Sequence, residues 1–288
     1  MIIAGYSLPA FLHGVGIILL YKAKGVPPNQ RIITINLAVA EMLYCLLLVI
    51  HHVVLLTRIE LSMNSKTMMY YQFVVRALNH FFYYTIRFAM FHIIIDRFLY
   101  IWLNIKYPLC INKRTLIKCI ILQWTLGGFM SGISHLLVRL RINIKHIKYI
   151  LSYVKIAMDA IIFITALATV LYLFKTVKRA SQGYVIQDRG QIRTSRIWVR
   201  LKIPLLMVGT FVLFNISATM CWSYTIYTGR QSLVVVIVVL NTCGWCFDVL
   251  IYVFLQRKVR RLISSFFKKF KTNRSGAIHM KDISIIVS

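Results

Sequence analysis

Residues Ile32 to Leu56 read IITINLAVAEMLYCLLLVIHHVVLL, an apolar stretch long enough to cross a bilayer, for which ~20 mostly apolar residues suffice. Its one acid, Glu41, falls in the middle. A carboxylate is expensive in hydrocarbon, so its presence there marks a position held for function by default. Reading outward for stretches of the same kind between polar breaks gives seven: Ile2–Tyr21, Ile32–Leu56, Tyr71–Leu103, Leu116–Val138, Ile147–Phe174, Trp198–Tyr224 and Ser232–Leu255. The breaks carry turn chemistry. Gly25, Pro27, Pro28 and Asn29 end the first, Tyr107-Pro108 follows the third, and Gly183 and Gly190 follow the fifth. The first stretch lacks a basic start and a small-residue cleavage site, so it is expected to be a helix rather than a signal peptide.

The composition agrees. Of 288 residues, 59% are hydrophobic and 15% charged, more apolar surface than one soluble core can hide. The net charge of +28 raises nucleic acid as a partner, but the basic residues punctuate long apolar segments, and nucleic acid is not expected. Only Glu41, Glu60, Asp96, Asp159, Asp188, Asp248 and Asp282 are acidic, and Glu41, Asp96, Asp159 and Asp248 lie inside apolar segments. None of the six cysteines falls clearly in an outside loop, which implies no structural disulfide. Cys243 and Cys246 form a CxxC without partner His or Cys at metal spacing, so packing is the expected role, and no metal or cofactor is expected.

Lys and Arg crowd the breaks on one side: Lys22, Lys24 and Arg31, then Lys106, Lys113, Arg114 and Lys118, then the long stretch from Lys175 to Lys202, then residues 257–288. Positive loops stay cytoplasmic, which places the amino terminus outside and the tail inside. The expected organisation is a bundle over 1–256 followed by an amphipathic helix and basic tail over 257–288. Val259, Leu262, Ile263, Phe266, Phe267 and Phe270 recur there at helical spacing between basic residues, the pattern of a helix lying on anionic membrane lipids.

Several stretches resemble the rhodopsin-like G protein-coupled receptors, over nearly the whole chain. Asn36-Leu-Ala-Val-Ala-Glu41 is similar to that family's second-helix NLAVAD, Asp96-Arg97-Phe98 to its third-helix DRY, Trp124 to its fourth-helix tryptophan, and Asp248-Val-Leu-Ile-Tyr252 to its seventh-helix NPxxY or DPxxY. The resemblance implies an all-α, seven-transmembrane helix bundle in the plasma membrane, amino terminus extracellular and carboxyl terminus cytoplasmic. It implies an extracellular ligand of unknown identity, with a heterotrimeric G protein and arrestin as partners. It also implies that Arg97 swings to meet the G protein, with Tyr252 and Tyr172 moving in to support it, and that Glu41 and Asp248 share one polar cluster. In relatives a cation is often sodium at this cluster, helped by a third-helix serine. Here that position is Ile86, followed by Arg87, so Arg87 is expected to supply the counter-charge to Glu41, Asp248 or Asp159. From chemistry alone, Asp96 beside Arg97 at a helix end reads either as a releasable latch, the acid neutralising an arginine costly at the membrane edge, or as an arginine snorkelling to the surface, and the accompanying motifs favour the latch.

The chain departs from the family in several places. Gln72 stands where its third-helix cysteine belongs, His13 where the first helix has asparagine, and Val249 where the seventh-helix proline falls. The sixth stretch runs Phe211-Val-Leu-Phe-Asn-Ile-Ser217 without the CWxP signature. In the outer half of the third helix Arg76, Asn79, Tyr83 and Arg87 follow roughly i, i+3/4 spacing and can share an inward face, which makes Arg76, Asn79 and Tyr83 the candidate ligand-pocket residues. Asn79 aligns with the carboxylate that aminergic relatives use, which disfavours an amine. Basic Arg76, Arg139, Arg141, Lys145 and Lys148 are compatible with an acidic or lipid ligand or with a solvated loop. Other functions stay open: a transporter, although no internal repeat is visible, and a receptor-like bundle without G protein coupling. An enzyme is not expected, because His51-His52 point different ways and His80, His92 and His135 form no ligand set.

Overall fold

The computed structural model describes residues 2–23, 26–57, 65–103, 106–139, 144–182, 206, 209–228, 233–254, 256 and 259–266; within these, the side chains of 2, 108, 137–139, 144–148, 177, 179–182, 252 and 254 are not described. The described chain is almost entirely helical. Its elements are α1 (Ile2–Lys22), α2 (Pro28–Leu56), α3 (Ser65–Leu103), α4 (Lys113–Arg139), α5 (Ile144–Gln182), α6 (Ser217–Thr228), α7 (Val234–Val249) and α8 (259–266). A single helical turn, Tyr107–Cys110, lies between α3 and α4.

Local chemistry sets several boundaries. Pro28 opens α2 at a position whose N–H would have no intrahelical partner. Asn112 caps α4, its Oδ1 accepting from the Thr115 amide at 2.9 Å. Two segments wind more loosely than α-helix: Phe211–Ile216 leads into α6 as a π-helical turn, and Leu250–Phe254 continues α7 as another. These are the places where the resemblance would have put prolines, and a π turn is the other common origin of a bend in a helix.

The helices close into a ring. α1 packs on α2 and on α7, α7 on α6, α6 on α5, α5 on α4, and α4 on α2, while α3 packs against α2, α4 and α5. Gly127 lets α4 approach α3 closely, because a Cβ there would overlap the Thr85 hydroxyl. Trp124 Nε1 donates to Asn36 Oδ1 at 2.8 Å, joining α4 to α2. The Val259 end of α8 is buried and Ile263 packs on the main core, with Arg260, Arg261 and Phe266 outward.

Polarity is inverted relative to a water-soluble protein. Phe11, Ile50, Phe129, Ile164 and Leu171 are exposed on the outside, while His13, Glu41, Arg87, Asp159, Asn215 and Asp248 are buried inside. Four helices are long and apolar enough to cross a membrane: Ile3–Lys22, Pro28–Leu56, Lys113–Leu136 and Tyr149–Thr176. This is a multi-pass helical membrane protein. The other three expected spans have not the same standing. α3, at 39 residues, is about 58 Å long but interrupted by Arg76, Arg87, Asp96 and Arg97. α6 and α7 are 12 and 16 residues long, and residues 198–205 of the expected sixth span lie outside those described.

Candidate functional site

Three polar groups sit inside the ring, and α3 contributes to two of them. At the centre, Arg87 projects from α3 with 4% of its surface exposed. Its Nε lies 2.9 Å from Asp159 Oδ1 on α5, an ion pair by distance rather than an aligned hydrogen bond. Its Nη1 donates to Asn215 Oδ1 at 2.8 Å, in the π turn before α6. Asp159 Oδ2 in turn accepts from Thr219 Oγ1 on α6 at 2.5 Å. The guanidinium also rests over the rings of Tyr83 (4.9 Å) and Phe211 (5.6 Å). One arginine thereby ties α3, α5 and the α6 region together. Both charges are desolvated, so their mutual attraction does little more than offset that cost, but removing either partner alone leaves a buried ion uncompensated.

The second group joins α1, α2 and α7. The Glu41 and Asp248 carboxyls stand within electrostatic reach of each other, and His13 Nε2 is 3.4 Å from Glu41 Oε2. All three side chains are 1% exposed. Among the described residues no third group donates to the four carboxyl oxygens, and the two acids lie within hydrogen-bond reach of each other once one holds a proton. A cavity of about 10 Å³, room for about one water molecule, is lined by His13, Thr34, Glu41, Val249 and neighbouring apolar atoms. Two acids so placed need a proton or a cation between them. Of the three acids considered as partners for Arg87, the one it meets is Asp159. Among the described residues no set of three or more His, Cys, Asp or Glu is arranged to hold a metal ion.

The third group lies at the Arg97 end of α3. Asp96 Oδ2 is 3.7 Å from Arg97 Nη2, and Asp96 Oδ1 accepts from the Tyr107 hydroxyl in the turn that follows α3. The Asn29 side chain donates to the Ile111 carbonyl at 2.9 Å and fixes that turn to the start of α2. Burial first, and then the Asp96 carboxylate, push the Tyr107 phenol above its ordinary pKa, so it stays a donor. Asp96 is buried while Arg97 remains 21% exposed, so the arginine is reachable and its acid is not. Tyr172 on α5 sits beside this group, its ring 5.4 Å from that of Phe98. Tyr252 falls in the π turn Leu250–Phe254, and its side chain lies outside the described residues.

The ligand-pocket candidates do not share one environment. Arg76 is exposed, Asn79 Oδ1 accepts from the Tyr44 hydroxyl on α2 at 2.8 Å, and Tyr83 faces α5 beneath Arg87. Arg139, Arg141, Lys145 and Lys148 have side chains outside the described residues. Sequence reasoning passed over Asn215, Thr219, Tyr107 and Lys155. The Lys155 ammonium lies 4.5 Å from the Tyr83 ring and 5.5 Å from the Trp222 ring. It had a signal: an ionisable residue inside an apolar span is a functional candidate whatever its sign. No family model matches this chain, and no curated protein does either.

Proposed function

We propose that the chain is a seven-transmembrane receptor of the rhodopsin-like type that passes an extracellular ligand signal to a heterotrimeric G protein, with arrestin as a second cytoplasmic partner. In this reading α3, α6 and α7 complete the seven spans. α3 tolerates its low apolarity because α2, α4 and α5 pack against it and its Arg87 and Asp96 are buried. On the same reading the membrane is the plasma membrane, the Arg97 end is cytoplasmic and the Asn79 end faces outward, an orientation that the distribution of basic residues supports.

The observation that carries the reading is the Asp96–Arg97 latch. A buried acid, held in place by Tyr107, restrains a partly exposed arginine at the end of the central helix. Such a pair can be opened by a small movement of α3 against the Tyr107 turn, which frees a guanidinium for an incoming acidic or carbonyl surface. Arg87 couples α3 to α5 and α6, so movement of those helices at the Asn79 end reaches the latch through a rigid element.

The test is second-messenger output across the G protein classes and arrestin recruitment in cells expressing the wild type or Arg97→Ala, with surface levels matched. The expected result is basal output in one class that Arg97→Ala lowers to the level of untransfected cells. Equal output from both proteins in every class would favour a receptor-like bundle without coupling.

A further inference from the structure

We infer that Lys155, Tyr83 and Trp222 form the anchoring point for a ligand carboxylate carried on an apolar or aromatic body. The inference names a ligand class for the proposed receptor and rests on that reading for its meaning as a signal.

Lys155 is a cation with no acid at ion-pair distance among the described residues. It projects from α5 one turn before Asp159, but both Asp159 oxygens are engaged, one by Arg87 and the other by Thr219. Glu41 and Asp248 belong to the α1, α2 and α7 group, and Asp96 is held by Tyr107 and Arg97. Asp159 attracts Lys155 through space but is already balanced by Arg87, and Lys155 makes no ion pair or hydrogen bond among the described residues. What it has is two aromatic rings, at 4.5 and 5.5 Å. Ring faces attract an ammonium but do not replace the hydration it loses on leaving water. With Arg87 and Asp159 cancelling, this region of the bundle carries one uncancelled positive charge.

The surroundings state what would cancel it. The Tyr83 hydroxyl is buried within reach of Arg87 and Thr219, without a well-aligned hydrogen bond, on the ring over which the ammonium sits. Ser152, one turn before Lys155, shares a 2.6 Å hydrogen bond with Ser223, the neighbour of Trp222. A carboxylate placed at Lys155 would accept from the ammonium and the Tyr83 phenol, and Trp222 offers a flat apolar face to whatever carries it. A largely apolar surround with a few converging polar groups is what holds a small molecule that bears one carboxylate. An amine ligand is excluded by the same argument, because a second cation would meet Lys155 and Arg87 with no free acid.

The full chain in phosphatidylcholine nanodiscs would be unfolded thermally in the presence of 4-phenylbutyrate, laurate, the neutral amide of each, and inorganic phosphate. Expected is a saturable rise in unfolding temperature with at least one carboxylate, none with its amide, and loss of that rise in Lys155→Met. Lys155→Arg, which keeps the charge, retains at least part of it. Ser223→Asp supplies an internal carboxylate near Lys155 and is expected to block the response, which keeps the test informative where Lys155→Met folds poorly. No saturable response to either carboxylate at millimolar concentration, an equal response to the amides, or an undiminished response in Lys155→Met would overturn the inference. A response to inorganic phosphate alone would overturn the need for an apolar body. The readout is binding, so failure of G protein coupling in the Arg97 test leaves this result interpretable.

Discussion

At Arg87 every charge has an opposite: the guanidinium meets Asp159, Asn215 accepts from it, and Thr219 donates to the acid. At Glu41 two carboxyls face each other beside one imidazole, with a cavity for about one water molecule next to Glu41 and His13. Both groups are buried, and both bind three parts of the ring together. The difference lies in what they require. The first is balanced in charge as it stands and acts as a clamp between α3, α5 and the α6 region, although Arg87 Nε, Asp159 Oδ1 and Asn215 Nδ2 make no aligned hydrogen bond. The second is complete only when a proton or cation joins it, so the packing of α1, α2 and α7 responds to whatever occupies that position. A buried polar group fully satisfied by its neighbours rigidifies, whereas one left short of a partner is a place where occupancy and conformation are linked.

The comparison breaks most readily at the clamp. Arg87→Met leaves Asp159 desolvated with Thr219 as its remaining partner, at a cost of about 3–5 kcal/mol. That is a large part of the stability of any fold of this size. Surface delivery of a tagged chain, measured by flow cytometry, should fall to near background. The double variant Arg87→Met with Asp159→Leu removes both ions, and it should regain most of the surface signal. A double variant no better than the single one would show that the arginine is held for some purpose other than pairing.

A smaller break isolates the third partner. Asn215→Leu preserves the ion pair and removes the acceptor for Nη1, a hydrogen bond to a charged group worth roughly 1.5–3 kcal/mol. Thermal unfolding in detergent should show a drop smaller than that of Arg87→Met. In the background of Arg87→Met the same substitution should cost little, because the donor is already gone. Additive effects would mean that Asn215 acts through the shape of the π turn instead.

These groups were unevenly legible in the sequence. α1 and α2 announce themselves because their runs are apolar throughout, and their ends coincide with the expected ones to within a few residues. α3 and α5 extend further than expected, to Ser65 and to Gln182, because hydrophobicity marks the hydrocarbon boundary and a helix is free to continue past it into water. That Arg87 would have an acid was readable, and which acid was not. Glu41, Asp248 and Asp159 lie on three different helices, and the choice depends on how α3 is rotated within the ring. Helical spacing alone placed Asn79 and Tyr83 on one face, but about one step of rotation turns the first toward Tyr44 on α2 and the second toward α5. Lys155 stands out in its span as plainly as Glu41 does, yet a long amphipathic side chain is easily read as reaching for the membrane surface. The departures at Val249 and in Phe211–Ser217 removed the prolines from the pattern without showing that π turns would occupy those places.

The acid group offers the finest discrimination, because here removing a charge should help. In Glu41→Gln the amide can donate to Asp248, to which no third group donates among the described residues. The exchange replaces a contact that must take up a proton or a cation by a permanent hydrogen bond, with a gain of about 1 kcal/mol. Asp248→Asn should act in the same direction, its amide donating to Glu41. The two together lose the remaining carboxylate and should gain less than the sum of the single changes, since they act on one contact. Thermal unfolding of the three variants beside the wild type reads this directly. A rise for each single variant supports a group held short of a partner. A fall of several degrees in both would mean that a charged pair is bridged by a bound cation, and that the second group is as fully balanced as the clamp at Arg87.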